Sequence, residues 1–172
     1  GAITINGVVA TNFVDNADNT YSADYTVSEG DDYVNMNGNG FPISVVLVDD
    51  AGNESSAFTS PTESGGMVYV DATRPTFVSA SIADATPDAI TVIFSEAVDI
   101  ADSTGWSATA NGVTKTLDSA VFGTGTANIT FDLSSGIFEA GQTVEISYAP
   151  GSVADTAGNS FSAITDESVA NN

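Results

Sequence analysis

The 172-residue sequence predicts an all-β fold on three observations. Short segments recur in which apolar and polar residues alternate, which is the pattern of a strand with one buried face. Glycine, serine, threonine, asparagine and aspartate are plentiful between these segments, as turns require. No apolar pattern with a 3.6-residue period continues for three turns, so we expect little helix.

The first part of the chain contains several strand candidates. Ala2 to Ile5 and Val8 to Val14 flank Asn6-Gly7, a dipeptide that favours a two-residue hairpin turn because both residues tolerate positive φ. Tyr21 to Val27 alternates as a half-buried strand does, and Phe41 to Val48 is apolar almost throughout, as expected for a central strand. The other candidates are Ser55 to Phe58 and Met67 to Val70, and residues 28–40 are predicted to form a long loop.

The second part contains seven strand candidates, two of which flank another Asn-Gly turn, Asn111-Gly112. Seven short strands in about 100 residues are typical of an immunoglobulin-like sandwich. The candidates are Thr76 to Ile82, Ala89 to Phe94, Trp106 to Ala110, Val113 to Phe122, 128–133, 143–148 and Phe161 to Ile164.

Two pairs of motifs indicate a tandem repeat. Asn6-Gly7 recurs 105 positions later as Asn111-Gly112, and Asp49 to Asn53 recurs 106 positions later as Asp155 to Asn159. Two motifs that keep nearly the same spacing favour two copies of one domain. The alternative is a small unrelated β unit with a coincidental motif.

The two copies differ before their Asn-Gly turns. The second has all of Pro75 to Ala108 there, whereas the first has only five residues. We therefore predict two tandem immunoglobulin-like β-sandwich domains, residues 1–70 and 71–172, of which the first lacks its two opening strands. Proline at position 75 favours a straight connection between them.

Composition limits the possible functions. The chain has 23 acidic residues, two basic residues and a net charge of −21, which argues against nucleic acid and anionic membranes as partners and favours cations. It has no cysteine and no histidine, so disulfides, thiolate zinc sites and the commonest general base are excluded. A hydrolase could use a carboxylate pair, but spacing singles out no pair. We therefore expect a non-enzymatic protein. We also expect no membrane insertion, because no apolar run approaches the length of a membrane span. No signal peptide is present, as in an interior fragment.

Acidic segments are predicted to meet at one end of the second domain. Asp71 enters the domain, Glu96 follows its second strand, and Asp155 and Asn159 precede its seventh, and in a seven-strand sandwich these positions share one end. Oxygen ligands without histidine or cysteine suit Ca²⁺. The sequence therefore predicts a calcium site at these four residues. The alternative is that Asp-x-Ala-Gly-Asn is only a turn with self-capping side chains.

The first copy carries a matching set of candidate ligands. These are Asp49, Asp50 and Asn53, which correspond to the segment from Asp155 to Asn159. The entry aspartate and the glutamate after the second strand have no counterparts in the first copy, so the case for Ca²⁺ there is weaker.

Several segments resemble repeats of bacterial surface proteins. One set resembles the SwmB-type repeat of long surface proteins: Asp71-Ala72-Thr73-Arg74-Pro75, Phe94 to Val98, Tyr148 and Val153 to Asn159. Another set is similar to the immunoglobulin-like repeats of giant secreted adhesins: Ile3 to Val8, Tyr21 to Gly30 and Asp49 to Asn53. The resemblance implies a secreted or cell-surface bacterial protein in which such repeats often act as spacers.

These observations predict a calcium-stiffened extender module of a large extracellular adhesin or surface protein. Its expected partners are neighbouring repeats of the same polypeptide, with self-association possible through the incomplete first domain. The alternative is a module that binds carbohydrate or a surface through Ser28 to Gly40 or through Trp106. For Trp106, a place in the core between sheets is the simpler interpretation.

Overall fold

The computed structural model describes residues 2–18, 20–35, 41–49, 51–60, 69–118 and 123–171. The chain forms two compact units, Gly1–Thr73 and Arg74–Asn172, compared with predicted domains of 1–70 and 71–172. In the described residues all helix or strand structure is β-strand, which confirms the all-β prediction. No helix long and apolar enough to cross a membrane occurs in that part of the chain.

The described residues of the first unit form seven short strands in three small antiparallel sheets. The strands are β1 (Ala2–Ile5), β2 (Val8–Val9), β3 (Thr11–Asp15), β4 (Tyr21–Asp24), β5 (Val34–Asn35), β6 (Ile43–Val46) and β7 (Tyr69–Val70). The largest sheet has the order β2-β1-β6, while β3 pairs with β4 and β5 with β7. The predicted loop 28–40 thus contains β5, which is too short to produce a periodic pattern.

The first unit buries little apolar surface. Of its described side chains, only Val34, Val70 and Ala72 are fully buried apolar residues, and Tyr25 and Phe41 pack against the first two. Large apolar side chains of the first unit are exposed instead: Val8, Val9, Phe13, Val14, Tyr21, Val27, Tyr33, Leu47, Val48, Phe58 and Tyr69. Packing alone therefore gives this unit a small core.

The second unit forms one eight-stranded mixed sheet. Its strands are β8 (Phe77–Ala83), β9 (Thr86–Ile100), β10 (Trp106–Ala110), β11 (Val113–Lys115), β12 (Gly123–Asp132), β13 (Val144–Tyr148), β14 (Ala154–Asp155) and β15 (Ile164–Asn171). The order is β11-β10-β13-β15-β8-β9-β12, with β14 also paired to β9. All pairs are antiparallel except β15 with β8.

Two strand predictions in the second unit are wrong. The predicted strand Phe161–Ile164 ends where the actual one, β15, begins, because the polar residues of β15 face solvent and leave no apolar alternation to detect. The predicted strand from Val113 to Phe122 is shorter, since β11 ends at Lys115, and residues 119–122 lie outside the described part.

The sheet of the second unit curls over its own core. Trp106 in β10 and Phe131 in β12 belong to strands near opposite ends of the sheet, yet their ring centroids are 4.7 Å apart. Trp106 is buried, which supports its interpretation as a core residue and rules it out as an exposed contact. The sheets establish a curled all-β unit, whereas the arrangement as two immunoglobulin-like sandwiches stays a prediction.

Both Asn-Gly turns form as predicted. Asn6 and Gly7 have φ of 52° and 76°, and Asn111 and Gly112 have φ of 50° and 76°, so both pairs occupy the left-handed region that a two-residue hairpin turn of type I′ needs. The turns join equivalent hairpins, because Ile5 pairs with Val8 and Ala110 with Val113.

Candidate metal centre

The loop from Asp155 to Asn159 is closed by its own aspartate. Asp155 Oδ1 accepts hydrogen bonds from the backbone N–H of Ala157 and of Asn159, each at 2.8 Å, and Oδ2 accepts one from the Asn159 side-chain amide at 2.8 Å. Gly158 has a φ of 96°, which closes the turn. Asp155 is only 4% exposed, so its carboxylate is held in one orientation.

The loop from Asp49 to Asn53 has the same structure. Asp49 Oδ1 accepts from Ala51 N–H at 2.9 Å and from Asn53 N–H at 2.8 Å, and Oδ2 accepts from the Asn53 amide at 2.9 Å. These bonds, the first of them from the Asn53 side chain, lower the pKa of Asp49 below its usual value. The matching bonds support the predicted repeat, and they show that the motif caps itself as the alternative interpretation requires.

Glu96 lies in a strand, so its predicted place in a loop is wrong. Between Ile93 and Val98, β9 advances five residues while its partner β12 advances only two. The surplus residues form a bulge that includes Glu96, and bulges of this kind re-aim side chains. The bulge is fastened by Ser95 and Thr76, whose backbone groups bond at 2.9 Å, while the Ser95 hydroxyl accepts the Thr76 N–H at 2.9 Å.

Asp71 lies in the chain segment that leads into β8. Its Oδ1 accepts a hydrogen bond from the backbone N–H of Thr73 at 3.2 Å, which turns the chain locally. Three residues later, the Arg74 guanidinium donates to the carbonyl oxygen of Ser160 at 3.4 Å. This contact holds the segment against the end of the Asp155 loop.

The three predicted carboxylates come together. One ligand oxygen from each of Asp71, Glu96 and Asp155 lies within 4.8 Å of the other two, with Asp71 and Glu96 half-buried and Asp155 buried. Two unit charges at this distance repel by about 1 kcal/mol in water and by about 3 kcal/mol at an effective dielectric constant of about 20. Three negative charges repel one another here, so a cation at this cluster removes a substantial repulsion.

The chemistry of these groups suits a hard cation. The Asp155 carboxylate has about four lone-pair sites, three of which accept the hydrogen bonds of its loop, so roughly one remains for an ion. The amide nitrogen of Asn159 is used as a donor, which leaves its oxygen as the atom suited to a cation. The cluster can therefore hold a metal ion.

The predicted site in the first unit lacks such a cluster within the described residues. Asp49 and Asn53 belong to no group of three or more acidic side chains with converging oxygens there, and Asp50 lies outside the described residues. The structure thus provides a second copy of the loop without the two additional carboxylates. Calcium at Asp49, Asp50 and Asn53 stays a prediction.

Sequence reasoning missed the residue that supports the Asp155 loop. Tyr148 is buried, and its hydroxyl accepts the backbone N–H of Gly151 at 2.6 Å and that of Val153 at 3.2 Å. Val153 directly precedes β14, so this bond fixes the strand that presents Asp155. The signal available in the sequence is a tyrosine at an inward position of a strand, followed by the small polar loop Ala149 to Ser152.

Comparison with known proteins gives little further information. No protein-family model and no curated protein matches the chain. The crystal structure of the N-terminal part of the bacterial S-layer protein SbsC matches 56% of this chain at 24% identity, with a TM-score of 0.46. The match covers 23% of that chain, so this chain spans about a quarter of its length, and a TM-score of this size supports no conclusion about function.

Proposed function

We propose that the chain is a calcium-binding structural module of a bacterial extracellular surface protein, with Asp71, Glu96, Asp155 and Asn159 as ligands. The observation that carries the proposal is the convergence of three carboxylates from distant parts of the sequence within 4.8 Å. The net charge of −21 and the resemblance of the flanking motifs to surface-protein repeats agree with it. The same resemblance supports an extracellular module in an array with neighbouring repeats.

Calcium fits this site better than other common cations do. Oxygen-only ligands disfavour zinc and copper, and magnesium demands a near-ideal octahedron with several retained waters. Calcium accepts six to eight oxygens in a flexible geometry, which protein groups and water can supply here. Histidine and cysteine are absent from the whole sequence, so no softer ligand competes.

The mechanical consequence follows from where the ligands lie in the chain. Asp71 precedes β8, Glu96 lies in the bulge of β9, and Asp155 ends β14. One ion bound to all three joins segments that lie far apart in the sequence. Because the ion binds this ordered arrangement better than a loose one, it stabilises the ordered arrangement by mass action. A stiffened connection is what an extender module requires.

The proposal is tested by calcium titration of the full chain. At a free calcium concentration of about 100 times Kd, binding stabilises the folded state by about 2.7 kcal/mol, which raises the melting temperature by about 5–11 °C for a chain of this size. Glu96→Gln should abolish most of this rise. Asp49→Asn is the matched control, because it changes the same self-capped loop at a place where the described residues form no carboxylate cluster.

A second readout is the fluorescence of Trp106, the one tryptophan in the sequence. Its ring contacts Phe94, two residues before Glu96, and Phe161, which follows the Asp155 loop. Calcium should therefore change its emission in the unaltered chain and in Asp49→Asn, but not in Glu96→Gln. The same titration counts ions: one for the Asp155 cluster alone, and two if the Asp49 loop also binds. An unchanged melting curve in EDTA and in millimolar calcium rules out the proposed function.

One observation favours a second candidate, a ligand-binding module. Phe13 and Tyr21 are stacked with ring centroids 5.4 Å apart, and each is more than half exposed. Exposed aromatic faces can stack on a sugar ring. Soluble glycans should then perturb Tyr21 resonances in the unaltered chain but not in Phe13→Ala, and the absence of any glycan response excludes this candidate.

A further inference from the structure

Each unit contains a three-stranded sheet, and the two sheets pair equivalent residues. The pairs Thr4–Val9 and Ile5–Val8 in the first unit correspond to Thr109–Thr114 and Ala110–Val113 in the second. The third strand matches as well, since β6 pairs with β1 as β13 pairs with β10, with Ile43 opposite Ile5 and Val144 opposite Ala110. The sheet β2-β1-β6 is therefore the counterpart of β11-β10-β13.

The next segments of the two units also match. The bridge between Val48 and Glu54 has its counterpart between Ala154 and Ser160. The bond from Ser55 N–H to the carbonyl of Leu47 corresponds to that from Phe161 N–H to the carbonyl of Val153. Leu47, Val48 and Asp49 thus correspond to Val153, Ala154 and Asp155.

The matching positions differ in what covers them. Val153 is 1% exposed, whereas Leu47 is 55% exposed. On the sheet itself, Ala108 and Ile146 are buried, whereas their counterparts Ile3 and Val45 are only half-buried. Within the residues that the structure describes, the first unit has the framework of the second but not the layer that buries it.

In the second unit that layer includes β9. Its residues Ile90, Val92 and Phe94 belong to the same buried cluster as Ala108, Ile146 and Val153. β9 also pairs directly with β14, with Asp99 opposite Ala154 and Val98 opposite Asp155. In the first unit the counterparts of β14, Val48 and Asp49, border an open apolar groove of about 580 Å³ that Leu47 and Val48 help to line.

We propose that the first unit is a strand acceptor, whose open face binds a β-hairpin of the β8–β9 kind. By analogy with the second unit, the bound hairpin provides an antiparallel strand that pairs with residues 48–49. This strand presents apolar side chains at alternate positions to Ile3, Val45 and Leu47. Addition of a strand to such an edge combines backbone hydrogen bonds with apolar pockets. The β9 of a second copy does not serve, because it already pairs with β8, β12 and β14.

The test is a fusion in which a copy of residues 74–105 precedes the full chain. In the alignment of the two units, position 1 corresponds to position 106. The added copy therefore supplies the two strands in the order that the second unit has. A control fusion carries Ile90→Asn and Val92→Asn in the added copy only. Both fusions carry Glu96→Gln in the added copy, so that the result is independent of calcium binding and of the proposed function.

The readout is hydrogen exchange at the backbone amides of residues 46–49. We expect exchange to slow by about tenfold or more in the fusion but not in its control, with the amides of β13 unchanged in both. Equal exchange in the fusion and the control overturns the proposal. A concentration-dependent dimer of the unaltered chain that protects the same amides also overturns it, in favour of a second copy as the occupant.

A second measurement covers a fusion that fails to fold. A synthetic peptide of residues 76–100 added to the unaltered chain must slow the same amides, and a peptide with Ile90→Asn and Val92→Asn must not. The absence of slowing at millimolar peptide overturns the proposal.

Discussion

Tyr148→Phe tests whether one buried hydroxyl holds the ligand loop in place. The substitution removes the acceptor of two backbone N–H groups, those of Gly151 and Val153, and keeps the ring. The ring centroid lies 4.7 Å from that of Trp106 and 5.3 Å from that of Phe161, so the aromatic packing is retained. Any loss of stability therefore reports the hydrogen bonds.

The expected loss follows from the burial of the Val153 N–H. A buried N–H without an acceptor costs about 1–3 kcal/mol, whereas Gly151 is exposed and its N–H can bond to water, so we expect the free energy of unfolding of the second unit to fall by about 1–3 kcal/mol. For a unit of about 100 residues this lowers the melting temperature by roughly 5–25 °C. Tyr21→Phe is the control, because Tyr21 is an exposed tyrosine of the first unit and should lose almost nothing.

The assay is urea unfolding followed by Trp106 fluorescence, with the slope m compared between variants. Because Val153 leads into β14, Tyr148→Phe should also weaken the calcium response more than Tyr21→Phe does. A loss below about 0.5 kcal/mol with unchanged m would refute the reasoning, since water would then be satisfying both N–H groups.

Two further predictions concern backbone strain and acid sensitivity. Gly105→Ala should lower the free energy of unfolding in urea by about 2–4 kcal/mol, because φ is 86° and a Cβ would collide with the Ala149 carbonyl oxygen. Gly112→Ala, at a φ of 76° and with open space around it, should cost about 1–2 kcal/mol. Equal losses would contradict this. Hydrogen bonds from the Thr104 hydroxyl and backbone N–H lower the pKa of Asp102 from its usual 3.8. The stability that these bonds contribute is present above pH 3.8 and is lost as the pH falls through the lower pKa of the folded state. Asp102→Asn should therefore flatten the fall in melting temperature below about pH 4. An unchanged dependence of the melting temperature on pH would count against this prediction.

Local chemistry made the turns predictable. Asn-Gly favours positive φ at two successive residues, and both turns adopt nearly the same φ values although the asparagine side chains bond to different partners. The Asp-x-Ala-Gly-Asn loops are equally local, since every bond that closes them comes from within the motif. These features needed no knowledge of the rest of the fold.

Features that depend on distant partners escaped the sequence. The bulge that carries Glu96 depends on how β9 pairs with β12 and with β14. The sequence of residues 93–98 gives no sign of this pairing. β15 is stabilised by backbone bonds to β13 and β8 on its two sides, so its polar side chains need no apolar alternation. The convergence of Asp71, Glu96 and Asp155 was nevertheless predicted from their places at the ends of strands, although the bulge that carries Glu96 was not.

The repeated loop separates turn formation from metal binding within one molecule. Asp49 and Asp155 make the same three hydrogen bonds, so the motif by itself explains the turn and is no evidence for an ion. What distinguishes the second loop is supplied from elsewhere: Glu96 by the bulge of β9, and Asp71 by the segment before β8. β9 is the strand that has no counterpart among the described residues of the first unit. The strand that covers the core of the second unit thus also brings the glutamate, which links completion of the fold to the creation of the site.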